Sequence, residues 1–240
     1  MQELYKRIEQ HEPFDDLNIE CMTSKELERS VEILLEEIRK DILDASADRF
    51  KPTWCSGKDC NLSMRDQGRL KKYEYIVGFF ISNLSKDVNL RIVHTINKGP
   101  CYWGYEDTSN LLSGDTLHIP YIGRFSKRKY YYKTIFHELA HACCSIDRLK
   151  TKMSNEEEEI CVECVALYLS LLLGLNVWDD CRKYILEWSY GERNKEGQPV
   201  GRPLFKTKTE FRRIKTSMMK IIRLLFTGNK KQRGSISFII

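Results

Sequence analysis

Apolar positions along this chain fall into two rhythms, one of three to four residues and one of two. Val31, Leu34, Leu35, Ile38 and Ile42 recur at helical spacing, which places them on one face of a helix. Thr23 precedes that run with Glu26 three residues later, a capping box that predicts a helix from residue 24 to about Leu43. Residues 47–70 are polar with Pro and Gly and read as a long loop with room for one helical turn. "YEYIVGFFISNL" (73–84) suits a helix or a buried strand, and helix is preferred. "NLRIVHTI" (89–96) is rich in β-branched residues and reads as a strand. "CYWGYE" and "DTLHIPY" follow as short strand candidates, separated by a turn around "LLSGD".

The second half is predicted to be helical. "KYYYKTIFHELAHACC" (129–144) is one helix, and "SNEEEEICVECVALYLSLLLGL" (154–175) is another, opened by a second capping box from Ser154 and Glu157. "DCRKYILEWSYGE" (180–192) reads as a third. The Gly/Pro-rich connection "NKEGQPVGRP" then leads to a basic helix near 209–226 and a tail expected to be loosely held. The pattern predicts an α+β fold in which a small antiparallel or mixed sheet packs on helices. Three parts are expected: an N-terminal helical region (1–85), a central core (86–201), and a basic C-terminal helix and tail (202–240).

Composition narrows the class. With 240 residues and 42% hydrophobic content, the chain can bury a core without covalent staples. Met1–Gln10 is polar and charged, which argues against a signal peptide. The longest apolar stretch, Cys164–Leu175, is 12 residues and too short to span a bilayer. No membrane partner is therefore expected. Nine cysteines, an odd number, fit reduced thiols and a cytoplasmic location better than a disulfide framework.

Charge is distributed unevenly. The net charge is +5, yet residues 202–233 carry +10 and the remainder carries −5. Arg212, Arg213, Lys215, Lys220 and Arg223 are the candidate contacts to DNA or another acidic partner. The plainer explanation is a solvated helix face followed by a basic tail.

The chemistry concentrates in "IFHELAH" (135–141). His137 and His141 are four residues apart on a predicted helix, so they stand about 40° apart around its axis and one turn apart along it. Both imidazoles can reach one metal ion. Glu138 lies about 100° from His137, beside the ion, where a carboxylate can accept a proton from a metal-polarised water. This is the physical content of the H-E-x-x-H motif. A catalytic zinc needs a third protein ligand and one open position. Glu159 and Glu163, four apart on the next helix, can supply that ligand and a brace for a histidine's second nitrogen. Glu159 is assigned as ligand and Glu163 as brace, with the reverse order left open. Glu156, Glu157 and Glu158 suit a helix first turn, where the dipole favours acids. Cys161 and Cys164 with Cys143 and Cys144 form a rival four-thiolate zinc set, though buried packing explains them as well. His94, His118 and Tyr190 are weaker candidates for stabilising an oxyanion.

From about Cys101 to about Leu225 the chain resembles the zincin-like metallopeptidase domain of ArdC-type antirestriction proteins. The stretches that carry the resemblance are "CYWGYED", "DTLHIP", "YYKTIFHELAH", "DRL" (147–149), "EEICVEC" (158–164) and "YILEW" (184–188), followed by a final helix. The resemblance implies a gluzincin-like fold. It implies one zinc per chain held by His137, His141 and Glu159, with Glu138 as base. It also implies a mobile-element protein that helps incoming DNA escape restriction. The family's N-terminal single-stranded-DNA-binding domain is not recognisable in residues 1–85, and "HACCSIDRL" replaces the family's run after the motif. More distant zincins cleave phage repressors or DNA–protein crosslinks.

The expected activity is peptide-bond hydrolysis on a protein or peptide substrate, through a zinc-bound water activated by Glu138. "DTLHIPY" is expected to be the sheet edge along which an extended substrate pairs. The competing reading is a nucleic-acid-binding protein on a zincin scaffold that uses the basic C-terminal segment.

Overall fold

Three helices open on the same local device. Thr23 with Glu26, Ser154 with Glu157 and Thr207 with Glu210 each exchange side chain and backbone hydrogen bonds across one turn. Each box satisfies two backbone N–H groups that a helix start otherwise leaves unpaired. The third box is as legible in the sequence as the first two, and it starts the last helix at Lys208.

The structure is a computed structural model that describes residues 2–13, 23–44, 67–84, 90–95, 101–103, 115–144, 153–190 and 207–227. Its helices are α1 (Gln2–Glu9), α2 (Ser24–Asp44), α3 (Gln67–Leu84), α4 (Arg128–Cys144), α5 (Asn155–Leu172), α6 (Trp178–Ser189) and α7 (Lys208–Thr227). Its strands are β1 (Arg91–Thr95), β2 (Cys101–Trp103) and β3 (Thr116–Pro120). The fold is α+β, predominantly helical, with one small mixed sheet.

Two expectations need adjustment here. Residues 67–70 belong to α3 rather than to the preceding loop. Helix α1 had no counterpart in the predicted elements; it is only 8 residues long, and Ile8 is its fully buried residue. The expected loop at 47–66, the turn at "LLSGD" before Asp115, the "NKEGQPVGRP" connection and the tail after Thr227 lie outside the described residues. So do the expected boundaries at 85/86 and 201/202.

Helix α5 is the centre of the core. Every residue from Ile160 to Leu172 is buried, as a helix with neighbours on all sides must be. It packs against α4, α6, α7 and α2. Several polar groups that enter this core are paired: the Ser30 hydroxyl bonds the Tyr168 hydroxyl at 2.8 Å. Asn83 donates to the carbonyls of Leu225 and Phe226 at 2.7 and 3.1 Å, which caps the end of α7. Helix α5 stops at Gly174, whose φ of 78° is cheap only for glycine. Leu175 N–H then returns to Ser170 O at 2.8 Å, closing the end in the Schellman manner.

In the sheet, β3 lies between the other two strands. β1 pairs with it in parallel, with Val93 opposite His118, and β2 pairs antiparallel, with Cys101 opposite His118. Both backbone edges of β3 are therefore in use, and it is not the edge for a substrate. A strand's neighbours come from long-range pairing, and its position just before α4 says nothing about them. Among the described strands β1 and β2 are the edges, and β2 is the edge strand that packs against α4.

Candidate metal centre

Helix α4 divides its surface between core and chemistry. Phe136, Leu139, Ala140 and Ala142 are fully buried, and burying a side chain the size of Phe136 or Leu139 stabilises by about 1.5–3 kcal/mol. His137 and His141 face α5. Glu159 of α5 stands between them: its carboxylate oxygens lie 3.5 Å from His137 Nε2 and 3.5 Å from His141 Nε2. The two Nε2 atoms are 3.2 Å apart. One nitrogen from each histidine and one Glu159 oxygen all fall within 4.8 Å of one another, the sole such group of metal-binding side chains among the described residues.

The opposite nitrogens are braced. His137 Nδ1 is 2.7 Å from Glu163 Oε2, and His141 Nδ1 is 2.8 Å from Glu158 Oε1. A carboxylate accepts, so each Nδ1 carries a proton, and an imidazole in that neutral tautomer presents its Nε2 lone pair to the shared point. In that tautomer two lone pairs and a carboxylate, all acceptors, stand around the point. A metal ion satisfies such a set; without one, protons on Nε2 shared with Glu159 do. Two imidazoles and one carboxylate, with room for a further ligand, are the donor set of a catalytic zinc, so the residues fit the ion.

The proton affinities report the same field. Burial disfavours charge on His141, yet the hydrogen-bonded carboxylates of Glu158 and Glu159 outweigh it and push the group up to about 10. His137 moves in the same direction against its own burial, through Glu159 and Glu163. Glu159 is buried enough to resist ionisation, but the two histidines and Tyr184 hold its carboxyl far below the usual range.

The arrangement is a ladder along antiparallel helices. As residue numbers rise on α4 through Lys133, His137 and His141, those of their α5 partners fall through Glu163, Glu159 and Glu158. On α4 successive rungs are one helical turn apart, about 5.4 Å. Helix α6 adds a third side. Tyr184 donates its hydroxyl to Glu159 Oε2 at 2.7 Å and sets its ring edge-on to His137 at 5.5 Å. Asp180, one turn earlier, lies 3.5 Å from Lys133 Nζ.

Glu138 is 4% exposed. Its charge raises the proton affinity of His141, so it lies beside the cluster. His137 and Glu163 are buried, while Glu159 and His141 keep 22% and 16% of their side chains exposed. The centre opens to solvent on that side.

Neither His94 nor His118 belongs to the converging group. His94 is exposed on β1 and stacks on Tyr121 at 5.3 Å. His118 sits on β3, between its strand neighbours. Tyr190 donates to Ile42 O at 3.3 Å; the tyrosine that reaches the cluster is Tyr184, six residues earlier. Cys143, Cys144, Cys161 and Cys164 are buried and in no disulfide, and among the described residues no cysteine joins the converging group. Burial pushes the Cys144, Cys161 and Cys164 thiols well up, which keeps them as neutral packing groups rather than thiolate ligands.

Four residues of the ladder escaped the sequence reading: Lys133, Glu158, Asp180 and Tyr184. Their signal is faint but present. Lys133 precedes His137 by four, and Tyr184 follows Asp180 by four, so each pair shares a helix face.

The basic residues of α7 divide. Arg213 bonds Glu157 at 3.0 Å, and Lys215 reaches Glu28 and Glu32 at 3.1 and 3.4 Å. Arg212, Lys220 and Arg223 are exposed and lie within about 80° of one another around the helix.

Residues 102–193 match the model of a protein family described as zincin-like metallopeptidase, MPTase-PolyVal. The matched stretch runs from β2 to just past α6 and so contains the entire ladder. No curated protein and no solved structure matches the chain. No helix among the described residues is long and apolar enough to cross a membrane.

Proposed function

We propose that this chain is a zinc-dependent metallopeptidase that hydrolyses peptide bonds, with His137, His141 and Glu159 as ligands and Glu138 as general base. The observation that carries the reading is the convergence of two Nε2 atoms and one carboxylate, each group oriented by a further hydrogen bond. The match to a zincin-like metallopeptidase family over this segment supports it. When bound, zinc supplies a Lewis acid and a nucleophilic water at neutral pH.

The protein's own groups do the rest. Glu138 takes a proton from the attacking water and delivers it to the leaving amine. Glu163 and Glu158 keep the imidazoles in the tautomer that leaves Nε2 free. Tyr184 fixes the Glu159 carboxylate. An extended substrate would pair with β2, the edge strand that packs against α4.

The test is metal content of the purified protein beside His137→Ala, followed by a peptide-library digest beside Glu138→Gln. One zinc per chain that His137→Ala loses, with cleavage that Glu138→Gln abolishes, is the expected result. A wild-type protein that binds no zinc when it is supplied in excess would refute the reading.

A nucleic-acid partner has support from Arg212, Lys220 and Arg223 on the outer face of α7. That reading predicts binding to DNA whose affinity falls steeply with salt and survives chelation. An antirestriction role on a mobile element rests on the motif resemblance, and protection of incoming DNA in a restricting host would test it.

A further inference from the structure

The peptidase chemistry leaves one buried cation without a task. Lys133 keeps only 12% of its side chain exposed, and its Nζ is 2.7 Å from Glu163 Oε1. It also lies 3.5 Å from Asp180 Oδ2 and 5.3 Å above the Tyr184 ring. Helix packing does not call for a lysine here; desolvating an ammonium is unfavourable unless partners compensate it. The compensation is specific. Glu163, fully buried, divides its carboxylate between two neighbours on α4: Oε1 meets Lys133 and Oε2 meets His137 Nδ1, each at 2.7 Å.

Two-point attachment fixes a carboxylate in a way that one contact cannot. Without Lys133, Glu163 would keep His137 and the neutral Cys181 thiol as neighbours, and its last torsion, broad for a carboxylate, would lose the ammonium that holds Oε1. The imidazole would then lose the acceptor that defines its tautomer. Lys133 and His137 are one turn apart on α4, so a single rigid element presents both to the same carboxylate.

We infer that Lys133 is a positioning residue of the metal centre: it holds the Glu163 carboxylate against His137 Nδ1, and so keeps the Nε2 lone pair aimed at the metal. The inference rests on the zinc reading above. It adds a third tier, Lys133 to Glu163 to His137, running from Asp180 and Tyr184 on α6 to the metal.

Zinc affinity by chelator competition, with the visible spectrum of the cobalt-substituted protein, tests it. Lys133→Met should weaken zinc binding by about 10–100-fold, the range for removing such a support, and alter the cobalt bands. Glu163→Gln should do the same. The double variant Lys133→Met/Glu163→Gln should be no worse than the poorer single variant, because both act through one contact. Lys133→Arg should recover most of the affinity. Circular dichroism of each metal-free protein shows whether it is folded, and Lys133→Gln replaces Lys133→Met if the latter is not.

Wild-type affinity in a folded Lys133→Met or Lys133→Gln protein would overturn the inference while leaving the zinc reading intact. Losses that multiply in the double variant would overturn it too, since Lys133 would then act elsewhere. Failure of every Lys133 variant to fold, Lys133→Arg included, would make the lysine a folding residue and reject the positioning role. A wild-type protein that binds no zinc would remove both the reading and the inference.

Discussion

The Tyr184 hydroxyl donates to Glu159 Oε2 at 2.7 Å, so the third candidate ligand is held by a helix that carries neither histidine. Burial and the Glu159 charge both raise the proton affinity of Tyr184, which keeps it a donor across the physiological range. Tyr184→Phe removes that donor and little volume. Zinc affinity should fall by about tenfold, with stability lower by about 1 kcal/mol. Chelator competition and urea denaturation measure the two; unchanged affinity would show that Glu159 needs no support from α6.

Glu156 and Glu158 look alike in sequence and differ in position. Glu158 accepts from His141 Nδ1 at 2.8 Å, whereas Glu156 interacts with Ser154 at the helix start. Glu158→Gln should weaken zinc binding by about 10–100-fold. Glu156→Gln should leave it unchanged and cost only a few tenths of a kcal/mol in helix-dipole stabilisation. Equal effects on metal binding would mean that first-turn charge, rather than the hydrogen bond to His141, is what matters.

The proposed reading puts Glu138 in the chemistry and outside the ligand set. Glu138→Gln should keep one zinc per chain, while peptide hydrolysis falls by about 100-fold or more, the scale of lost general-base catalysis. Metal analysis and a cleavage assay run on the same sample decide this. Loss of zinc in the variant would move Glu138 into the ligand set.

Stability without metal should depend on pH in two limbs. Burial opposes the Glu163 carboxylate, but Lys133 and His137 outweigh it and pull the group from 4.5 to about 2. A depressed folded value stabilises the fold above pH 4.5, and this contribution fades as pH falls towards about 2. His141 works the other way: raised from 6.5 to about 10, its contribution is complete below 6.5 and lost as pH climbs through 10. Chelator-treated protein should therefore be most stable between about pH 4.5 and 6.5. Urea midpoints across the range would show it, and Glu163→Gln should flatten the acid limb. Stability that rises below pH 4.5 would contradict this account.

What the sequence determined by itself is what one helix can encode. Spacing of four puts His137 with His141, and Glu159 with Glu163, on single faces. The T-x-x-E and S-x-x-E boxes set where α2, α5 and α7 begin, because a cap depends on neighbours three residues away. The unbroken apolar run Cys164–Leu175 likewise suits a buried helix. The tertiary structure decided which faces meet and in what direction. Only the antiparallel pairing of α4 with α5 brings Glu158 to His141 and separates it from Glu156. Only the placement of α6 turns Tyr184, rather than Tyr190, towards the cluster. Only strand pairing makes β3 the centre of the sheet and β2 its edge beside α4. The physical reason is the same in each case: local contacts are set by bonds along the chain, whereas Lys133, Glu163 and Tyr184 meet through packing between three separate helices.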